Sequence, residues 1–264
     1  MIPPRLVATD LDGTLLDSNG TVSPRTRQAL RLAEQAGAEV VFVTARPPRG
    51  IDGIAEQAGV SGTAVCSNGA IVYDLAAREV RTRITLEADA LRKTVALLHE
   101  ALPGIGIAGE TGFNVLAEAA YGRDLWHDRA FLRPVESLCD QEERVVKLMV
   151  WSETHPVEHM FTAAVEAVAG HAEVTYSGTI GLLEISAAGV TKATTLAALC
   201  AERGIDPADV VAFGDAPNDL AVLAFAGHGY AMGNGHELVL NAVERHTLGN
   251  DDDGVAVVLE RLFR

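Results

Sequence analysis

Short apolar runs alternate with stretches of helical period at both ends of this chain, and that rhythm restricts the fold more than any other property. Leu6-Val7-Ala8 within Arg5–Thr9, then Glu39–Val43, Thr63–Cys66, Asp209–Phe213 and His228–Met232, are short, mostly apolar and bounded by polar or glycine-containing turns. Helical segments lie between them. Ser23 and Pro24 supply an N-cap and a first-turn proline. Ala29, Leu32, Ala33 and Ala36 recur at helical spacing, and Gly37 closes the segment. Further helices are expected over residues 50–58, 193–203 and 220–226. Strands buried on both faces and separated by helices form parallel sheets through right-handed crossovers. The expected core is therefore a doubly wound parallel α/β sheet built from residues 1–82 and 188–264.

The rhythm breaks from residue 83 to residue 187. Residues 87–101 and 156–169 read as helices, but they stand among strand-like pieces at 105–108, 114–117, 145–151, 172–176 and 182–186. Two helices among several short strands make an α+β unit, expected here as an insertion into the parallel domain. Within the first segment, Leu15–Val22 predicts a small hairpin with Asp17-Ser18-Asn19-Gly20 as its turn.

In an open parallel sheet, the loops at the carboxyl ends of the strands surround one crevice. The expected strands deliver polar residues there: Asp10 and Asp12 after the first, Thr44 after the second, Ser67 and Asn68 after the third, and Asp215, Asn218 and Asp219 after the fourth. Lys192 opens a helix and can reach the same rim. Alone, Asp10-Leu11-Asp12-Gly13 reads equally as a surface turn, because Asp-Gly is a common turn dipeptide. A surface turn does not account for a second acid cluster at another strand end. Four crowded carboxylates cannot all stay ionised without a cation, and hard oxygen donors in that number favour Mg²⁺.

Composition narrows the partners. The 264-residue chain carries a net charge of −15, which disfavours nucleic acid and anionic membrane, since both require a basic face. A small phosphate ester remains compatible, held by a few local groups with a metal ion between the charges. Cys66, Cys139 and Cys200 are odd in number and far apart, as suits structural thiols in a reducing cytosol. With no signal-peptide core and no run of membrane-spanning length, a cytoplasmic location is expected. Oligomeric state has no signature in the sequence.

Taken in order, Asp10-Leu11-Asp12-Gly13-Thr14, Thr44-x-Arg46, Lys192 and Gly214-Asp215-x-x-Asn218-Asp219 resemble the four motifs of the haloacid dehalogenase-like superfamily. Ser67-Asn68-Gly69-Ala70, Ala231-Met232-Gly233-Asn234 and Asp253-Gly254-Val255-Ala256 resemble its Cof-type phosphatase branch, and the insertion resembles that branch's cap domain in position and length. The resemblance covers roughly residues 5–82 and 187–260. It implies a Mg²⁺-dependent phosphatase that hydrolyses a small phosphomonoester, a sugar phosphate or phosphorylated cofactor, through an aspartyl-phosphate intermediate. Asp10 would be the nucleophile and Asp12 the general acid and base. Asp10, Asp215 and the main-chain carbonyl of Asp12 would hold the metal, while Thr44, Lys192 and Asn218 would hold the phosphoryl group. Asn218 and Asp219 would orient the lysine or the metal's waters from behind. Two positions depart from the family pattern: Ala45 stands where glycine is common, and Pro217 where small or acidic residues are usual. Proline suits the first turn of a helix, so the motif is expected to survive it.

Other features read as ordinary structure. Gly104-Ile105-Gly106-Ile107-Ala108-Gly109 matches the dinucleotide fingerprint but follows a helix rather than a strand. Asp251-Asp252-Asp253 reads as an exposed loop. Arg46 suits a structural ion pair as well as a phosphate contact, and Ser67-Asn68 suits a turn as well as a site. Arg123, Trp126, His127 and Arg133 are candidates for contact with the substrate's leaving group. Two rival functions share the motif set: a phosphosugar mutase, which returns the phosphoryl group to a sugar, and a catalytically silent phosphometabolite-binding protein.

Overall fold

The computed structural model of the chain describes residues 3–122, 126–177 and 181–264. The chain divides into two compact units, one running to Arg81 and resuming over Lys192–Arg264, the other spanning Thr82–Thr191. In chain order the first unit supplies β1 (Leu6–Thr9), α1 (Pro24–Gln35), β2 (Glu39–Val43), α2 (Asp52–Ala58), β3 (Thr63–Cys66), β4 (Ile71–Asp74) and the first three residues of β5 (Glu79–Arg83). The second contains α3 (Ala88–Ala101), β6 (Gly106–Glu110), β7 (Val115–Glu118), β8 (Leu132–Val135), β9 (Lys147–Trp151), α4 (Val157–Ala167), β10 (Ala172–Tyr176) and β11 (Leu182–Ala187). The chain then returns with α5 (Lys192–Glu202), β12 (Val210–Gly214), α6 (Leu220–Phe225), β13 (His228–Ala231), α7 (Glu237–Ala242) and α8 (Gly254–Phe263).

Among the described residues, the first unit forms a seven-stranded sheet in the order β13-β12-β1-β2-β3-β4-β5. The five strands from β13 to β3 are parallel, and β4 turns back antiparallel to β3. The winding direction reverses beside β1, with β2 and β3 on one side and β12 and β13 on the other. This is where open α/β sheets bind their ligands. Leu6, Val7 and Ala8 are all fully buried, which explains an apolar run without polar alternation. On one face α5 and α6 place Leu196, Leu199, Val222 and Leu223 in a cluster with Leu6, Ala8, Val41, Val43 and Val65. On the other, α1 packs on β2 and α8, and Arg261 of α8 donates to the Tyr230 hydroxyl at 2.9 Å beside the stacked Phe213–Tyr230 pair. The sheet is doubly wound and mainly parallel.

Two local expectations are corrected. Leu15–Val22 is not a hairpin. Leu11–Leu15 forms one wide turn, closed by the Leu16 amide on the Leu11 carbonyl at 2.9 Å. The following loop is tied by the Asp17 carboxylate, which accepts from the Asn19 and Thr21 amides and from Thr21 Oγ1 at 2.8–2.9 Å. The main chain adds bonds from the Asp17 amide to the Thr21 carbonyl and from the Gly20 amide to the Asp17 carbonyl, both at 2.9 Å, but no strand among the described residues flanks this turn. The strands β4, β5 and β8 were also absent from the sequence expectation. Of these, β5 (Glu-Val-Arg-Thr-Arg) and β8 (Leu-Arg-Pro-Val) are sheet edges, where charge and proline keep a strand from pairing further and also erase its apolar signal.

The second unit carries a six-stranded sheet, β10-β11-β9-β6-β7-β8, antiparallel except between β7 and β8. Helices α3 and α4 bury Leu91, Leu98, Met160 and Ala164 against Ile107, Leu148, Val150 and Ile185 on one face. The alternate residues carry a buried ion pair, Lys147 Nζ to Glu184 Oε1 at 2.5 Å. The glycine-rich stretch at 104–109 runs into β6 instead of a nucleotide loop. Its Gly109 makes room for packing, since a Cβ there would lie 2.8 Å from Val145 Cγ2. No helix among the described residues is long and apolar enough to cross a membrane.

Candidate active site

The two acidic strand ends meet because β1 and β12 are hydrogen-bonded neighbours, with Thr9 in register with Phe213. Asp10, the next residue, donates its amide to the Phe213 carbonyl at 3.1 Å and is buried. The ammonium of Lys192, the first residue of α5, lies 2.8 Å from Asp10 Oδ1 and 2.8 Å from Asp219 Oδ1. The other Asp219 oxygen accepts the Asp215 and Ala216 amides, both at 3.1 Å, which fixes the turn before α6. Gly214 lets this happen, because a Cβ there would lie 2.7 Å from Asp219 Cγ. Asp215 is held by Thr14, whose hydroxyl donates to Asp215 Oδ1 at 2.9 Å. Gly13 permits that approach. Its φ is 75°, and a Cβ would sit 2.9 Å from Asp215 Cγ. Asp10, Asp215 and Asp219 each bring an oxygen to within 4.8 Å of the others.

The rim is built by the neighbouring strand ends. Thr44, buried after β2, accepts the Arg46 amide on Oγ1 at 3.1 Å and leaves its hydroxyl hydrogen for another acceptor. Asp12 stands outside the three-acid cluster. Its side chain is 58% exposed, and Arg46 holds both of its oxygens, Nε to Oδ2 at 2.7 Å and Nη2 to Oδ1 at 2.6 Å. Asn218 donates from Nδ2 to Asn68 Oδ1 at 3.2 Å, while its own Oδ1 is buried without a partner. Ser67 and Asn68 are buried with φ of 50° and 54°, a strained pair of the kind that collects at functional sites.

The description of the haloacid dehalogenase-like hydrolases matches residues 7–259. The chain belongs to that family. It is 31% identical to pyridoxal phosphate phosphatase YbhA of Escherichia coli, over 89% of this chain and 90% of the relative. It is 29% identical to 5-amino-6-(5-phospho-D-ribitylamino)uracil phosphatase YitU of Bacillus subtilis, over 98% of both. A haloacid dehalogenase-like hydrolase structure from B. subtilis superposes with a TM-score of 0.82 at 24% identity, over 98% of this chain and 99% of that one, and so shares the fold.

In this haloacid dehalogenase-like hydrolase, one lysine faces three carboxylates, and the surplus negative charge governs the electrostatics. Burial pushes the Asp10 carboxyl well above the usual carboxylate range; Lys192 opposes this, and Asp219, Asp215 and Asp12 reinforce it. Asp215 is pushed up to about 7, by burial first and then by Asp219, against the pull of Thr14 and Lys192. Burial alone would discharge Lys192, but Asp10 and Asp219 outweigh it and keep the ammonium charged. Among the described residues, the second oxygens of Asp10 and Asp215 have no hydrogen-bond donor. Two free hard oxygens in a buried, over-charged cluster fit a divalent cation of the Mg²⁺ kind. Both Asp219 oxygens are already taken, by Lys192 and by two amides, so Asp219 fits the task of aiming the lysine.

Thr14, Arg46 and Asn234 contribute more than their place in the sequence suggests. Asn234 donates to the Gly13 carbonyl at 2.8 Å and accepts the Asn250 amide at 2.9 Å, and Asn250 reaches back to the Leu16 carbonyl at 2.8 Å. These bonds brace the turn that carries Asp12. The signal was there, an Asn after the last strand, but its target lies over two hundred residues away. The Asp251–Asp253 loop is a staple. Asp251 accepts from the Ser18 amide and hydroxyl at 2.7 and 2.5 Å, and Asp253 takes the Ser23 and Thr26 hydroxyls at the start of α1. Of the residues suspected of substrate contact, Arg133 pairs with Glu143 at 2.6 Å. Arg123 and the side chains of Trp126 and His127 lie outside the described residues.

Proposed function

We propose that this member of the phosphatase family hydrolyses a small phosphomonoester by way of an aspartyl-phosphate on Asp10, with Mg²⁺ as its cofactor. Asp10 attacks phosphorus with Oδ1, the oxygen that Lys192 orients at 2.8 Å, and keeps its other oxygen for the ion. Lys192 and the Thr44 hydroxyl bind the phosphoryl oxygens and oppose their growing charge. Asp12 delivers a proton to the departing alkoxide, then takes one from the water that reopens the acyl phosphate. Asp219 keeps Lys192 in line, and Asn218 supports the phosphate side of the rim. Asp10, Asp215 and the Asp12 main-chain carbonyl would hold the ion, which when bound cancels the repulsion between an anionic nucleophile and an anionic substrate. The supporting relatives are named for pyridoxal phosphate and for a phosphoribityl compound, so the substrate class proposed is a phosphorylated cofactor, cofactor precursor or sugar. Cysteines not joined in disulfides suit a reducing compartment, and the cytoplasm is the proposed location.

The observation that carries this reading is the buried Lys192 ammonium, equidistant from Asp10 and Asp219 at 2.8 Å. The test is hydrolysis of p-nitrophenyl phosphate and of a phosphometabolite panel, with and without Mg²⁺, by wild type and Asp10→Asn. Loss of at least about a thousandfold in Asp10→Asn, with Mg²⁺ dependence in wild type, is expected for a missing nucleophile. Equal inactivity of both proteins across the panel would leave only a binding protein, and an absolute need for a sugar bisphosphate would mark a mutase.

A further inference from the structure

We propose that Arg46 is a positioning residue for Asp12, fixing the carboxyl group that gives a proton to the leaving group and then takes one from water; this rests on the reading of Asp12 as acid and base. Asp12 has little of its own to hold it. Its side chain is the exposed one among the site's acids, and it sits in a turn whose φ and ψ, −76° and 121°, are not helical. A carboxylate so placed would sample several rotamers, and proton transfer requires a fixed one within hydrogen-bond reach.

Arg46 removes that freedom. Its Nε and Nη2 engage both Asp12 oxygens at 2.7 and 2.6 Å, the two-point geometry only a guanidinium provides. Arg46 is itself anchored from several directions. Its amide donates to Thr44 Oγ1 at 3.1 Å, its carbonyl accepts the Ser67 amide at 2.9 Å, and its Nη1 leans on the Gly50 carbonyl at 3.4 Å. An exposed ion pair contributes little to stability in most proteins, so this anchoring is excessive for a stabilising contact and suits a positioning one. The same Thr44 that is proposed to hold the phosphoryl group sets the Arg46 backbone, so phosphate site and proton site share one frame.

The chemistry provides a clean test, because the two half-reactions need Asp12 to different degrees. Forming the aspartyl-phosphate from p-nitrophenyl phosphate expels a stable phenolate and needs no acid, whereas opening it needs the base. Rapid-mix kinetics of Arg46→Ala with Mg²⁺ should retain the p-nitrophenol burst within about threefold of wild type, and lose about tenfold or more in the steady state that follows. Free guanidinium should restore part of that turnover, and Arg46→Lys, which offers one point of contact, should lie between. In an Asp12→Asn background, Arg46→Ala should add no further loss. A burst that slows with the steady state, or a raised KM at unchanged kcat, would make Arg46 a phosphate ligand instead. Unchanged turnover would make the pair structural, and either result overturns the proposal. If Asp12→Asn alone turned over normally, the acid and base reading would fail first, independently of Arg46.

Discussion

Gly13 shows how closely single residues are constrained around the site. It carries a positive φ and borders the Asp215 carboxylate, so any side chain meets both a backbone penalty and a collision. Gly20 shares the positive φ, 73°, but has nothing within 4 Å. Gly20→Ala should therefore cost about 1–2 kcal/mol of stability in urea titrations and leave kcat alone. Gly13→Ala should cost more than Gly20→Ala, and should also depress phosphatase activity by displacing Asp215. Equal effects of the two on activity would refute the collision. At this scale the identities of Asp10, Asp215, Asp219 and Lys192 were legible, because acids crowded at strand ends are costly unless a cation or a ligand compensates them. The direction of the Asp12 side chain was not legible, because it depends on Arg46, 34 residues further along, and no local pattern encodes a rotamer.

Among the elements, β9 carries a buried ion pair outside the site. Lys147 faces Glu110 on β6 and Ser186 on β11 in register, and its ammonium pairs with Glu184 at 2.5 Å with both side chains 4% exposed. Removing Lys147 takes the ammonium away from the buried Glu184 carboxylate. Lys147→Met should destabilise the protein by about 3–5 kcal/mol, while Lys147→Met with Glu184→Leu should recover part of that loss, Glu110 remaining buried beside the site, measured as denaturation midpoints. A double variant no better than the single would mean the pair is not the cause. The strands that bury apolar residues on both faces were readable from their runs. The edge strands β5 and β8 were not, since the charges and proline that protect an edge are the residues that mask it. The hairpin expected at Leu15–Val22 is a single turn closed by Asp17 through main chain and side chain together, with no strand among the described residues beside it, an alternative that turn composition does not distinguish.

For the molecule as a whole, the buried acids make stability depend on pH and metal together. The Asp215 carboxyl moves from 3.8 to about 7 on folding, so the folded state keeps a proton that the unfolded chain gives up. The stability from this group is full below about pH 4 and is lost as pH rises to about 7. A divalent cation competes with that proton. Mg²⁺ should therefore raise Tm more at about pH 8 than at about pH 5, by differential scanning fluorimetry. An equal rise at both would show that Asp215 is not a ligand. Replacing Asp215 with Asn should weaken the Mg²⁺ effect at both pH values and leave Asp10, also raised by burial, as the remaining source of its pH dependence.

The parallel pairing of β1 with β12 also has a bearing on synthesis. The ribosome releases Asp10 early, and Asp215 about 200 residues later. At roughly 5–20 residues per second, the nascent chain spends about 10–40 s with Asp10 made and Asp215 not yet translated. On the proposed mechanism, a nascent chain that still lacks Asp215 is inert toward phosphate esters, and activity waits for β12 to pair with β1.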